Sequence, residues 1–294
     1  MGGLSGIRPT RERLTLSAGT ELAYLRAGDP AGSPSLLLLH GFPNSSRGFR
    51  DVIPLLARDA HVIVPDLPGF GESDPLATPS FAAFADAIRE LLAHLAIGPR
   101  LLYVHDFGAP VAFDLAMAEP DLVLGLVIQN ANAHPTGWGP GWEATRAYWA
   151  APDEHNTAAA MAHLTLEGTR AQYDSGLPDD VASALDPAQW AEDWRVMSRP
   201  GNMRTQRALI ADYGRYAQRL DAIGAYLREW QPPAVMVWGR HDAFFDIAET
   251  LSWMEDLPRM QAHILDGGHL LLETHAEQAA PLIADFVRGV AMRR

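Results

Sequence analysis

The sequence predicts an α/β fold: a mostly parallel central sheet with helices on both faces and a helical cap inserted before the last strands. Three observations carry this expectation. From residue 11 to about 130, the apolar runs LLLLH, HVIVPDL, LLYVH and GLVIQN alternate with the helically spaced FRDVIPLLARDA, FAAFADAIRELLAHLAI and PVAFDLAMAEP. Near-continuous apolar strands need both faces buried, as in a parallel sheet covered by helices. Between 132 and 228 the character changes: tryptophans (138, 142, 149, 190, 194) and tyrosines accumulate in helical patterns without any strand-like run. The alternation then resumes with PPAVMVWGRHD, a helix near DIAETLSWMEDL, a strand at QAHILDGGH and a closing helix AAPLIADFVRGV. Residues 1–131 and 229–294 are therefore expected to form the core, and 132–228 a helical cap or lid.

Composition narrows the function. At 294 residues and 48% hydrophobic, the chain can bury a large core. A formal charge of −13 with no basic run argues against nucleic-acid or anionic-membrane partners. The absence of cysteine excludes disulfides, thiol catalysis and cysteine-ligated metals. MGGLSGIRPTRERLTL lacks the apolar region of a secretory signal, and LLLL at 36–39 is too short to span a bilayer. The expectation is a cytoplasmic protein, monomer or homodimer, acting on a small, mostly apolar partner.

Three polar residues each follow a predicted strand, where open α/β sheets place their ligand sites. Asp106 follows LLYVH in a strand, tight turn and helix sequence; Asp242 follows AVMVWGRH; His269 follows AHILDGG. Singly, each reads as a helix cap or a structural histidine; in this order and with these turns they read as catalytic. A fourth element, His40-Gly41-Phe42-Pro43, follows the early strand LLLL, where a Gly-Pro turn is the plain alternative. Asp246, four residues past Asp242, is expected to cap the next helix, and His105 to support the turn at Asp106. DLPGFGESD lacks the third glycine of a dinucleotide site, and His40, His241, His263 and His275 form no metal-ligand spacing, so neither cofactor nor metal is expected.

Across nearly the whole chain, HGFP, VPDLPGFGESD, HDFGAP, WGRHD and GGH resemble the α/β-hydrolase fold superfamily, in its aspartate-nucleophile branch of epoxide hydrolases and haloalkane or haloacetate dehalogenases. The order Asp106, Asp242, His269 is that family's nucleophile, acid, histidine triad, with aspartate where G-x-S-x-G carries serine. The resemblance implies Asp106 as nucleophile, His269 as general base, Asp242 as triad acid, and the backbone N–H groups of Phe42 and Phe107 as the oxyanion hole.

A carboxylate nucleophile attacking a carbonyl would give an anhydride, whereas attack on a saturated carbon gives an ordinary ester. An epoxide or a carbon–halogen bond is such an electrophile. The ester is then hydrolysed by water activated by His269 and Asp242. The family's epoxide hydrolases protonate the leaving oxygen with cap tyrosines, for which Tyr148 and Tyr213 fit best by position, with Tyr216 or Tyr173 as alternatives. Its haloalkane dehalogenases hold the halide with tryptophan or asparagine N–H groups, usually including a Trp after the nucleophile; its haloacetate dehalogenases carry an Arg there. Phe107 is neither, which disfavours dehalogenation. Trp138, Trp142 and Trp149 are expected as pocket wall. The preferred expectation is opening of an epoxide to a vicinal diol. The alternatives are hydrolytic dehalogenation of a haloalkane or haloacid by the same covalent route, and a non-catalytic ligand-binding relative.

Overall fold

The computed structural model describes residues 7–293. Its eight strands are β1 (Thr10–Thr15), β2 (Glu21–Ala27), β3 (Ser35–Leu38), β4 (His61–Pro65), β5 (Arg100–His105), β6 (Val123–Gln129), β7 (Ala234–Gly239) and β8 (Gln261–Leu265). They form one sheet in the order β1-β2-β4-β3-β5-β6-β7-β8. The pairs β1–β2 and β2–β4 are antiparallel, and every later pair is parallel. The antiparallel edge escapes the run-counting used on the sequence because β1, TRERLT, is polar and partly exposed, as befits an edge strand.

The alternation of side chains along a strand explains why the central strands are apolar throughout. Leu36 and Leu38 of β3 join Val62, Val64, Leu101 and Tyr103 on one face, covered by Ile283 and Val287 of the closing helix Leu272–Ala291. Leu37 joins Ile63, Leu102 and Val104 on the other, covered by Phe84 and Ile88 of helix Phe81–His94 and by Val111 and Leu115 of helix Gly108–Ala118. With both faces buried, the strands leave polar groups to their C-terminal ends, where the chain turns.

Between β6 and β7 the chain is helical: Glu143–Ala150, Glu154–Met161, Leu166–Asp174, Asp179–Ala182, Pro187–Met197, Pro200–Ala217 and Leu220–Trp230. Asp153, Thr165 and Asp186 start three of these helices by accepting a backbone N–H at the N-cap. The last helix packs against Gly108–Ala118 and Glu249–Asp256. The boundary expected at 228 thus falls within a helix that lies on the helices flanking the sheet. The remaining helical segment is tied down by Arg47, which donates to the Gln189 carbonyl at 2.7 Å and to Asp193 at 3.2 Å, and by Asp212, which accepts the Phe81 N–H at 2.8 Å.

Candidate active site

Asp106 stands at the apex of a sharp turn from β5 into helix Gly108–Ala118, with φ at +40°, a strained value for a residue with a side chain. The turn is held by the Asp106 N–H on the Asn130 carbonyl at 3.3 Å and by the Ala109 N–H on the Asp106 carbonyl at 2.9 Å. Its neighbours must be small. A Cβ on Gly41 would come within 2.4 Å of the Asp106 Cβ, and one on Gly108 within 2.5 Å of the Leu39 carbonyl oxygen. The glycines of HGFP and HDFGAP are therefore required by the close approach of two loops.

Asp106 is 4% exposed. The Phe42 N–H donates to its Oδ1 at 2.5 Å, and the Phe107 N–H also supports the carboxylate. Burial pushes the Asp106 pKa up, only partly opposed by His269 and these two N–H groups. The second oxygen, Oδ2, lies 3.9 Å from His269 Nε2, too far for a hydrogen bond. Among the described residues Nε2 has no hydrogen-bond partner, while Nδ1 lies 3.0 Å from Asp242 Oδ2. Burial alone would lower the His269 pKa, but the charge and hydrogen bond of Asp242, with Asp106, outweigh it and leave it raised. The imidazole is stacked on Phe245, with 5.3 Å between ring centres and 15° between planes.

Asp242 accepts four hydrogen bonds. Oδ1 takes the N–H groups of Phe244 and Phe245 at 2.7 and 3.1 Å; Oδ2 takes Asn130 Nδ2 at 2.8 Å besides His269. Asp246 is separate from this constellation and accepts the Ala248 N–H at 2.8 Å just before helix Glu249–Asp256. His105 donates to the Gln129 carbonyl at 3.1 Å, and burial drives its pKa well down, so it braces the turn as a neutral ring. Asn130, just after β6, links that strand, β7 and Asp242, since its amide also brackets Gly239 through both its N–H and carbonyl.

A cavity of about 80 Å³ opens over Asp106, with Phe42, Phe107, Trp142, Ile210 and Phe244 as its apolar and aromatic wall. Of the three tryptophans expected there, Trp142 alone lines it. Trp138 and Trp149 pack behind Trp142 at 5.4 and 5.6 Å, a correction that follows from the way the indoles stack in the cap interior. The cavity also receives Thr145, His163 and Gln172, which no motif marks in the sequence.

The four candidate tyrosines separate by what their hydroxyls touch. Tyr173 donates to Asp193, and Tyr216 to the Asn132 carbonyl. Tyr148 is half-buried, and neither it nor Tyr213 is among the residues that line the cavity, so burial and hydroxyl partners, not cavity lining, set the two apart. Tyr213 is fully buried, its hydroxyl has no partner among the described residues, and its ring lies 4.6 Å from Trp142 and 5.6 Å from Phe107, the residue next to Asp106. Burial, then Tyr216 and Asp106, drives its pKa well up, so it is a phenol at neutral pH. The Trp142 Nε1–H is likewise buried without a partner, whereas that of Trp149 is used by the Ile210 carbonyl at 2.8 Å.

A sheet in this order, a strained carboxylate turn after β5 and a histidine–carboxylate pair after β7 and β8 define the α/β-hydrolase class. The family model described as alpha/beta hydrolase fold matches residues 34–276, and the chain belongs to that family. Within it, the chain is 33% identical over 299 residues to an uncharacterized hydrolase of Saccharomyces cerevisiae, covering 96% of this chain and 100% of that protein. It is 34% identical over 295 residues to a haloalkane dehalogenase of Bradyrhizobium diazoefficiens, covering 92% of each. The solved structure of the epoxide hydrolase CorEH superposes with a TM-score of 0.76 at 25% identity, over 98% of this chain and 100% of that one. Among the described residues no helix is long and apolar enough to cross a membrane.

Proposed function

We propose that the chain hydrolyses an epoxide to a vicinal diol through an alkyl ester on Asp106. Asp106 Oδ2 attacks a ring carbon; the carbon–oxygen ring bond breaks, and its electron pair goes to the ring oxygen, which takes the Tyr213 phenolic proton. Water then gives a proton to His269 Nε2 and attacks the ester carbonyl of Asp106. The charge that develops on the carbonyl oxygen is held by the Phe42 and Phe107 N–H groups, which already support this carboxylate. Collapse of the tetrahedral intermediate expels the diol oxygen, and protons return from His269 and solvent. Asp242 keeps His269 Nδ1–H directed inward throughout.

The observation that carries the reading is the buried, unpartnered Tyr213 hydroxyl packed beside Trp142 and Phe107. An expelled alkoxide needs a proton, which a phenol supplies; a halide needs only solvation. The free Trp142 N–H favours a second reading, hydrolytic dehalogenation, because an indole N–H can solvate a leaving anion. The test is His269→Ala mixed with an epoxide and a haloalkane panel, followed by intact mass and peptide mapping. An adduct on Asp106 carrying the whole epoxide mass supports epoxide opening. An alkyl adduct without halogen supports the second reading, and no adduct overturns both.

A further inference from the structure

The cavity over Asp106 is not uniformly apolar. On its cap side stand Thr145, His163 and Gln172, brought from helix Glu143–Ala150, the turn after Glu154–Met161, and helix Leu166–Asp174. Thr145 is the buried residue of its helix at 5% exposure, and Gln172 is 7% exposed. Neither side chain makes a hydrogen bond among the described residues, although both face the cavity with donor and acceptor atoms. Both residues are nearly withdrawn from bulk water but are not among the fully buried unpartnered polar groups, so their polar atoms stay reachable by whatever fills the cavity they line.

Burial lowers the His163 pKa, partly offset by the ring's hydrogen bond to the Ala160 carbonyl, so this third group is a neutral imidazole. Among the described residues no arginine lines the cavity, and the chain contains no lysine. A carboxylated substrate would meet Asp106 with no counter-cation.

We infer that the substrate carries a neutral hydrogen-bonding group, a hydroxyl, ether or carbonyl, beside its electrophilic carbon, and that Gln172, Thr145 and His163 receive it. This rests on the epoxide reading and names the substrate class of that same site. The aromatic wall takes the carbon skeleton while the polar side orients the substituent, and with it the carbon presented to Asp106 Oδ2.

The test compares glycidol with 1,2-epoxybutane, which differ by a hydroxyl in place of a methyl. The readout is the ratio of their kcat/KM values in the wild type, in Gln172→Met and in Thr145→Val, with Thr145→Ser as the conservative control. One neutral hydrogen bond corresponds to roughly a three- to tenfold change in this ratio. The ratio should favour glycidol in the wild type, fall by that factor in Gln172→Met and Thr145→Val, and be kept in Thr145→Ser. General damage to the fold lowers both numbers and leaves the ratio intact, so an unchanged ratio in both variants overturns the inference. Should the variants not fold, glycidate with the wild type decides: turnover equal to that of glycidol overturns the inference, and strong discrimination against it supports it. Hydrolysis of both epoxides without discrimination leaves the epoxide reading standing and this one fallen. Failure of every epoxide to esterify Asp106 removes both.

Discussion

Asn130 donates its amide to the same Asp242 oxygen that faces His269 Nδ1, at 2.8 Å against 3.0 Å, and spans to the Gly239 backbone in the next strand. An amide therefore fixes the rotamer of the carboxylate that orients the histidine. Removing it as Asn130→Ala leaves the buried Gly239 N–H unpaired, while the Gly239 carbonyl keeps the Asp242 N–H, and frees the Asp242 side chain to turn. We expect kcat to fall about tenfold and unfolding free energy by about 1–3 kcal/mol, measured by steady-state turnover and urea melts. A variant with wild-type kcat would show that Phe244 and Phe245 suffice to hold Asp242.

Tyr213→Phe removes the phenolic proton and little volume. Under the epoxide reading, formation of the ester slows by roughly a hundredfold or more, while hydrolysis of an ester already formed is little changed. Rapid-quench measurement of the two half-reactions separates them. Trp142→Phe has the opposite selectivity: an effect confined to haloalkanes would transfer the weight to the second reading.

The two half-reactions also differ in pH dependence. Under the covalent reading Asp106 attacks as a carboxylate, and burial raises its pKa, so ester formation is lost as pH falls through that raised value. Hydrolysis needs neutral His269, whose pKa burial lowers and Asp242 raises; once Asp106 is an uncharged ester it no longer adds to the rise found in the free protein, so this step fails as pH falls through a value lower than that of the free protein. Single-turnover rates from pH 5 to 9 should show hydrolysis declining as pH falls, with Asp242→Asn moving that limb to lower pH. A limb that does not move in Asp242→Asn would contradict the His269–Asp242 pairing.

A separate histidine links pH to stability. His134 lies between Glu249 and Asp256, 3.0 Å from a carboxylate oxygen of each, and Arg228 pairs with Asp256 at 2.9 Å. Burial would lower its pKa, but the two carboxylates outweigh this and raise it above 6.5. The folded state then holds the proton more tightly than the unfolded chain. The resulting stability is fully present below pH 6.5 and is lost as pH rises through the folded value. His269, raised as well, has the same sign, so the comparison is between wild type and His134→Gln. The variant should lose part of the decline in unfolding free energy between pH 6 and 9; an identical decline would place His134 outside the linkage.

The positions of Asp106, Asp242 and His269 were legible because each depends on local chemistry. An apolar strand ending in a tight turn must leave its polar residue at the strand's C-terminal end, and a parallel sheet brings such ends to one rim. The glycines of HGFP and HDFGAP were legible for the same reason, since only a residue without Cβ fits between Asp106 and the backbone after β3. The polar edge strand β1 and the full extent of helix Leu220–Trp230 were harder to read, because neither has an apolar run of its own.

What the sequence by itself determined was the sheet, the family and the three residues at the strand ends. The tertiary structure decided the cap. Tyr148, Tyr173, Tyr213 and Tyr216 share the same chemistry on paper, yet Asp193 takes the hydroxyl of Tyr173, the Asn132 carbonyl takes that of Tyr216, Tyr148 is half-buried, and Tyr213 is fully buried with its hydroxyl free among the described residues. Thr145, His163 and Gln172 converge from separate segments. A hydroxyl's availability depends on which groups other helices bring within about 3 Å, and how helices cross is set by side-chain interlocking over the whole cap rather than by any stretch of residues.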